Sequence, residues 1–107
     1  MVVTVFRNRL RPENVADYQA WIVRMSALAK TMPGYISHKA FTAEDGERVT
    51  IVEFESEEGQ RVWATNLQHI EAKKKGRADF YTEYKLQVCA VQRESAFTES
   101  KAKGSAG

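Results

Sequence analysis

The sequence is poor in the residues that build covalent and metal-bound frameworks. Cys89 is the only cysteine among 107 residues, so the chain cannot form an internal disulfide and a reducing compartment is expected. The two histidines, His38 and His69, are too far apart in the sequence to form an i, i+4 ligand pair. A single thiolate does not make a zinc site, so we expect no bound metal.

Long apolar runs and glycine-rich loops are also missing. No run approaches the roughly 20 apolar residues that cross a bilayer, and no basic or apolar leader precedes the first β-like run. No glycine-rich phosphate loop is present, so the sequence has no motif for binding a nucleotide or a flavin. We therefore expect no cofactor. No Gly-x-Ser-x-Gly motif occurs either. These absences predict a cytoplasmic protein that does not bind membranes.

Charges of both signs are mixed along the chain. There are 16 basic and 14 acidic residues, which give a net charge of +2. This balance offers no electrostatic footprint for nucleic acid. The main basic cluster, residues 73–77, is interpreted as cations at a helix C-terminus followed by a glycine cap. Two alternative roles for this cluster remain: an anion-binding edge, or a substrate contact made by Arg77 alone.

The apolar pattern predicts four strands and two helices in one domain that spans residues 1–94. The expected strands span residues 2–10, 35–43, 48–55 and 84–93. The expected helices run from Pro12 to Met32 and from Ser56 to Gly76, where apolar residues recur every three or four positions. A short turn or helical piece is expected around residues 78–82. Residues 95–107, rich in small and polar side chains, are expected to form a disordered tail.

The order β-α-β, hairpin, α-β predicts a ferredoxin-like α+β fold, βαββαβ, with a four-stranded antiparallel sheet. Only one layer of helices is available, so the second face of the sheet must meet water or another sheet. Alternation places Val3, Val5, Val49 and Ile51 on one face and Phe6 on the other. Because both faces are apolar, we expect a homodimer that pairs sheet to sheet, with the charged residues of that face paired in the interface or at its rim.

Four segments carry a family resemblance. They are Phe6–Leu10, Met32–Tyr35, Ile51–Ser56 and Trp63–Arg93, and the last holds Trp63, Asn66, His69, Gly76, Arg77, Phe80 and Tyr84 in order. In this order and spacing the chain resembles the antibiotic biosynthesis monooxygenase family over residues 2–93. The resemblance implies a ferredoxin-like monomer that dimerises into an α/β barrel, with a pocket between the sheet and the helices of each subunit.

The resemblance also implies a range of activities. Some members of the family oxygenate polycyclic phenols without metal or flavin, some bind and degrade haem, and others isomerise small molecules. Haem-degrading members use an asparagine near the end of the first strand and a histidine on the second helix, which Asn8 and His69 match. They also use a tryptophan where this chain has Phe54. Fold alone does not decide among these activities.

Two residues are predicted to be catalytic. His69 lies at the edge of the apolar stripe of the second helix, where an imidazole with a pKa near 6.5 can accept a proton. A structural histidine with one hydrogen bond is the alternative. Asn8 shares a strand face with Phe6, so its amide can donate to an oxyanion or to dioxygen if that face meets the helices. An asparagine at the sheet edge is the alternative.

Six residues are predicted to bind substrate: Phe6, Phe54, Trp63, Asn66, Arg77 and Tyr84. Trp63 can form an apolar wall, Arg77 can face an anionic group and Tyr84 can supply a phenol. Core packing is the alternative for Trp63 and Tyr84, and a surface or dimer contact is the alternative for Arg77. His38 has no evident partner and is not favoured for catalysis. Cys89 is expected to be a small buried hydrophobe.

Three functions follow, and the sequence leaves them open. The favoured one is a cofactor-independent monooxygenase that acts on a small aromatic substrate such as a phenol, quinol or anthrone. His69 would remove a proton, Asn8 or Arg77 would stabilise the anion, and the anion would react with dioxygen directly. The second is a small-molecule isomerase or a non-catalytic binding dimer, and the third is haem binding or degradation.

Overall fold

The computed structural model describes residues 1–99, and within them the chain forms four strands and three α-helices in the order β1-α1-β2-β3-α2-α3-β4. The strands are β1 (Val2–Leu10), β2 (Tyr35–Thr42), β3 (Arg48–Phe54) and β4 (Tyr81–Ala90). The helices are α1 (Val15–Ala29), α2 (Glu57–Thr65) and α3 (Leu67–Lys75). A 3-10 turn, Pro12–Asn14, precedes α1, and a π-helical turn, Gly76–Phe80, follows α3.

The sheet confirms the predicted ferredoxin-like fold. Its strand order is β2-β3-β1-β4, and every neighbouring pair is antiparallel. Thr4 at the centre of β1 lies opposite Val52 on one side and Val88 on the other. This register aligns side chains of equal parity across the sheet, so each face is continuous from strand to strand.

The hairpin between β2 and β3 closes where Asp45-Gly46 predicted a turn. Gly46 has a φ of +91°, in the left-handed region that favours glycine. The Asp45 side chain accepts a hydrogen bond from the Glu47 N–H at 3.0 Å. Ala43 and Glu47 join the strand ends through a backbone bond of 2.8 Å. The turn therefore fixes the register of the two strands.

The two faces of the sheet have different surroundings, as alternation predicted. Val2, Thr4, Asn8 and Phe54 are buried on the face that the helices cover. The core on this side is built from Met25, Ala29, Phe54 and Trp63. On the other face, the side chains of Val3, Val5, Val49 and Ile51 are only half-buried in the single chain. That face has no second layer within residues 1–99.

The predicted single second helix is wrong, because the chain breaks it at Asn66. This residue has a ψ of 132°, which is extended, and it separates α2 from α3. α3 ends at Lys75 with Gly76 as its C-cap, as predicted, but Gly76 has helical rather than left-handed angles, and the chain continues into the π-helical turn. A Cβ at Gly76 would lie 2.6 Å from the ring of Tyr81, so the position requires glycine because of this close packing.

Other expectations need smaller corrections. β4 begins at Tyr81 rather than at residue 84 and ends at Ala90, and Cys89 is exposed rather than buried. Cys89 has the parity of the uncovered face, because it pairs with Val3. Residues 95–99 of the predicted tail are irregular and exposed, whereas residues 100–107 lie outside the described residues. Among the described helices, none has the length and apolarity that a membrane span needs.

The start of α2 is packed tightly against the turn that follows α1. Glu55 N–H donates to the Gly34 carbonyl at 2.8 Å, and a Cβ at Gly59 would lie 2.5 Å from the Pro33 carbonyl oxygen. We expect Gly59→Ala to lower the free energy of unfolding by about 1–3 kcal/mol, because backbone must move to admit the methyl group. Urea unfolding measures this change.

The matched control is Arg61→Ala on the same helix. Within residues 1–99 Arg61 pairs with Glu57 alone, and both side chains are about two-thirds exposed. This variant should therefore stay within about 0.5 kcal/mol of the parent. A Gly59→Ala protein as stable as the parent would contradict the tight contact between α2 and Pro33.

Candidate functional site

A cavity of about 400 Å³ lies between the helices and the covered face of the sheet. Aromatic side chains form much of its lining: Phe6, Tyr18, Trp63, Tyr81 and Tyr84. Aliphatic side chains complete it, including those of Ile22, Met25, Val52 and Leu86. The size and apolar lining suit a small aromatic molecule.

His69 lines this cavity with one fixed tautomer. Its ring stacks on the indole of Trp63, with centroids 3.8 Å apart and planes 15° from parallel. Its Nδ1 lies 2.9 Å from the Trp63 carbonyl oxygen. A carbonyl only accepts hydrogen bonds, so Nδ1 carries the proton and Nε2 keeps its lone pair. His69 therefore provides a fixed acceptor nitrogen.

Burial also keeps His69 neutral. Removal from water lowers its pKa to about 4, although the hydrogen bond to Trp63 acts in the opposite direction. The nearby Lys73 ammonium lowers the pKa further. At pH 7 the imidazole is therefore uncharged, as a base must be before it accepts a proton, but it is a weak base.

The break at Asn66 positions His69. The Asn66 side-chain oxygen accepts from the N–H groups of Gln68 and His69, at 2.9 and 3.3 Å, and so caps α3. Its own N–H donates to the Trp63 carbonyl at 3.2 Å. The same carbonyl thus accepts from both the backbone at the break and the His69 ring. Asn66, predicted to bind substrate, does not line the cavity.

Two cations lie at the cavity, and neither forms an ion pair within residues 1–99. Arg77 donates to the Tyr84 hydroxyl at 3.2 Å, and Lys73 donates to the Ala64 carbonyl at 3.0 Å. Both side chains line the cavity, as His69 does. Their positive charge favours an anion formed in the cavity.

The cavity brings together five of the eight predicted site residues: Phe6, Trp63, His69, Arg77 and Tyr84. Asn8 lies on the covered face but does not line the cavity; its side chain is 1% exposed. Neither its amide nitrogen nor its amide oxygen has a hydrogen-bond partner within the described residues. Phe54, with an exposed fraction of 0%, belongs to the core beneath the cavity.

Sequence reasoning missed the partners of His38. Its Nδ1 lies 2.6 Å from the Tyr35 hydroxyl and its Nε2 lies 3.1 Å from the Ser26 hydroxyl. Three residues apart on a regular strand, Tyr35 and His38 would point to opposite faces. The register of β2 shifts between Tyr35 and Ser37, which places both rings on the covered face. Burial lowers the pKa of His38, and the charge of Lys30 adds to this effect.

Two tyrosines complete the polar lining of the cavity. The rings of Tyr18 and Tyr81 meet edge to face, with centroids 5.7 Å apart. Burial raises the pKa of the Tyr81 phenol, and contact with Tyr18 raises it further. The Tyr81 hydroxyl therefore remains a protonated donor at neutral pH. Across residues 1–99, no three His, Cys, Asp or Glu side chains are grouped to hold a metal ion.

The lowered pKa of His69 makes stability depend on pH. The folded pKa of about 4 lies below the unfolded value of 6.5, so between them only the unfolded chain is protonated at this site. The contribution of the neutral His69 to the free energy of unfolding is complete above about pH 6.5, and it is lost as the pH falls toward 4. Between pH 7 and 4.5 we expect the parent to lose about 2–3 kcal/mol more than His69→Gln, measured by urea unfolding.

The control for this measurement is Gln68→Ala. Gln68 is exposed and adjacent to His69, and it carries no titratable group. It should lose as much stability as the parent over the same pH range. Equal losses in the parent and in His69→Gln would contradict a buried, neutral imidazole.

The chain can be compared with known proteins in sequence and in structure. No protein-family model matches the chain. The chain is 29% identical over 96 residues to YqjZ, an uncharacterised protein of Bacillus subtilis strain 168, across 90% of this chain and 84% of YqjZ.

Solved structures resemble the chain more closely in shape than in sequence. A candidate antibiotic biosynthesis monooxygenase from Deinococcus radiodurans has a TM-score of 0.81 at 10% identity, over 92% of this chain and 100% of that chain. SnoaB, a cofactor-independent oxygenase from Streptomyces nogalater, has a TM-score of 0.73 at 17% identity, over 87% of this chain and 94% of that chain. These likenesses confirm the predicted resemblance at the level of structure: the chain has the fold of the antibiotic biosynthesis monooxygenase proteins.

Proposed function

We propose that this protein oxidises a small aromatic compound, such as a phenol, quinol or anthrone, with dioxygen and without a bound cofactor. The proposal depends on the position of His69, which lines an aromatic cavity of about 400 Å³. Its imidazole is neutral and has a fixed tautomer. The oxygenase SnoaB, which shares the fold, supports the same class of reaction.

Substrate binding would rest on the aromatic walls. Phe6, Tyr81 and Tyr84 already meet one another at centroid distances of 5.5–5.9 Å. A planar ring placed against this cluster gains offset or edge contacts in addition to its burial. Binding would also exclude water, which strengthens the influence of every charge around the ring.

Proton removal would be the task of His69. With a pKa of about 4 it cannot by itself ionise a simple phenol, since a gap of about 6 pKa units costs about 8 kcal/mol. The charges of Lys73 and Arg77 would lower this cost by stabilising the anion. The substrate must supply the rest, which favours compounds whose anion is delocalised over several rings or oxygens.

The reaction with dioxygen balances without a cofactor. For an anthrone, the carbanion left after proton removal gives electrons to dioxygen, and one carbon–oxygen bond forms. Loss of the second proton from that carbon and cleavage of the oxygen–oxygen bond yield a carbonyl and one water molecule. The protein would enclose the ring, hold the proton removed and stabilise the anion.

The test is oxygen uptake with a panel of anthrones, quinols and naphthols. We expect His69→Ala to lower the rate about 10²-fold or more, because it removes the base. In the parent the rate should be constant from pH 8 to about pH 5, and it should fall as His69 is protonated near pH 4. Val23→Ala, on the exposed side of α1, is the matched control and should keep the parent rate.

The results separate the candidate functions. If His69→Ala consumes oxygen as fast as the parent, the role of His69 is wrong. If the panel binds and no oxygen is consumed, an isomerase or a binding dimer is favoured. A shifted Soret band after addition of hemin would favour haem binding instead.

We also propose that two copies pair through the uncovered face of the sheet. Besides its half-buried valines and isoleucine, this face carries Phe41, which is 50% exposed. Its arginines are already neutralised within the chain: Arg7 pairs with Glu47 at 2.9 Å and Arg9 pairs with Asp45 at 2.8 Å. Paired charges at the edge of an apolar surface are typical of an interface rim.

Association can be measured by analytical ultracentrifugation. We expect a dimer for the parent and a monomer for Ile51→Asp, because a carboxylate at the centre of the interface would be buried without a partner. Val23→Asp adds the same charge to the exposed side of α1 and should leave the dimer intact. A parent that sediments as a monomer at micromolar concentration would contradict the pairing.

A further inference from the structure

A hydrogen-bonded series of three side chains lies apart from His69. It runs from the Tyr35 hydroxyl to His38 Nδ1 (2.6 Å) and from His38 Nε2 to the Ser26 hydroxyl (3.1 Å). The members come from different elements, because Tyr35 and His38 lie on β2 and Ser26 lies on α1. The proposed oxidation uses none of them.

The series faces the cavity at one end and is held by the core at the other. Ser26 and His38 line the same cavity as His69. Tyr35 does not line it; its ring packs edge-on against Phe54, with centroids 6.3 Å apart and planes 82° apart. Phe54 is fully buried, so Tyr35 holds the His38 ring from a fixed position.

The direction of the two hydrogen bonds is reversible. If Tyr35 donates to Nδ1, then Nε2 carries the proton and donates to Ser26. If Nδ1 donates to Tyr35, then Nε2 accepts from Ser26. Both hydroxyls can donate and accept, and a neutral imidazole always has one nitrogen of each kind. The Ser26 hydroxyl can thus offer a ligand either a proton or a lone pair, and it suits a ligand hydroxyl or a ligand carbonyl.

On the cavity side this pair has apolar neighbours, while the charge of Lys30 also acts on His38. Met25, Ala29 and Val52 line the cavity beside it. An aromatic ligand without a polar group at this point would remove water from Ser26 and His38, and it would form no hydrogen bond to replace those lost to water. A ligand that bears an oxygen at that point avoids this loss, because buried polar groups left without a partner are costly.

We propose that Ser26 and His38 form a second polar anchor of the cavity, positioned by Tyr35, which selects fused aromatic ligands that carry two oxygen substituents. One substituent meets His69 and the other meets the Ser26–His38 pair. This inference rests on the proposed function for the identity of the cavity as the ligand site. It adds the substrate class: diols, hydroxyketones or quinols on two or more fused rings.

The test uses naphthol and a series of naphthalene diols that differ in the spacing of the two hydroxyls. Dissociation constants for the full chain are measured by calorimetry. We expect the best diol to bind the parent about 10-fold more tightly than naphthol, since one hydrogen bond in a buried site contributes about that much. In Ser26→Ala this ratio should fall to about 1, because the second hydroxyl of the ligand loses its partner; in His38→Phe it should fall part of the way, because the Ser26 hydroxyl remains but loses the ring that orients it.

Two further variants separate direct contact with the ligand from the orientation of His38 by Tyr35. Tyr35→Phe keeps both groups that meet the ligand and removes only the bond that orients His38, so an intermediate ratio is expected. Ser37→Ala is the matched control: its hydroxyl bonds to Glu53 on the uncovered face, next to His38 in the sequence. It should keep the parent ratio.

The outcomes are distinct. A ratio that Ser26→Ala leaves unchanged would overturn the proposal, and so would a parent that binds diols and naphthol equally or binds neither. Circular dichroism checks that His38→Phe folds, and Ser26→Ala, a small change, decides the question if it does not. A selective parent that consumes no oxygen would refute the proposed oxidation and leave the second anchor intact.

Discussion

The hydrogen bond from His69 to the Trp63 carbonyl is the interaction on which the site depends. Inside a continuous helix, that carbonyl would accept from the backbone N–H four residues later. The break at Asn66 leaves the last carbonyls of α2 without helical partners. His69 uses one of them and Lys73 uses the next, at 2.9 and 3.0 Å. The end of one helix thus fixes the tautomer and the position of the imidazole, whereas burial keeps the ring neutral against the effect of this hydrogen bond.

A second constraint is the single layer of helices. Three short helices cover one face of the sheet, and they leave a cavity where α1, α3 and β4 meet the centre of β1. Leu86 and Val88 of β4 remain about half exposed although they have the parity of the covered face. The helices therefore do not extend over the whole edge strand. This incomplete cover gives a small molecule access to the aromatic cluster.

The strands, the hairpin and the two faces of the sheet could be predicted because alternation and turn chemistry are local signals. The break at Asn66 could not, since the apolar stripe of Val62, Trp63 and Ile70 continues through it without a proline or glycine. The usable signal was an asparagine able to cap a helix inside the stripe. The Tyr35–His38 contact depends on a shift of strand register, and the packing of Gly76 depends on Tyr81, which the sequence does not show.

Three of the five predicted residues that line the cavity, Trp63, His69 and Arg77, lie on α2, α3 and the π-helical turn, where helical spacing keeps them together across the break, and the other two lie on strands. Asn8, Asn66 and Phe54 do not line the cavity: Asn8 and Phe54 are buried on the covered face of the sheet, and Asn66 caps α3 at the break. The central claim is that His69 presents a neutral, unprotonated Nε2 to a ligand in the cavity. Long-range proton–nitrogen NMR of the two histidine rings at pH 7 tests it most directly, with and without a bound naphthalene diol. We expect a proton on Nδ1 of His69 and an Nε2 resonance that shifts when the ligand binds; a proton on Nε2, or a ring that does not respond to the ligand, would contradict this role of His69.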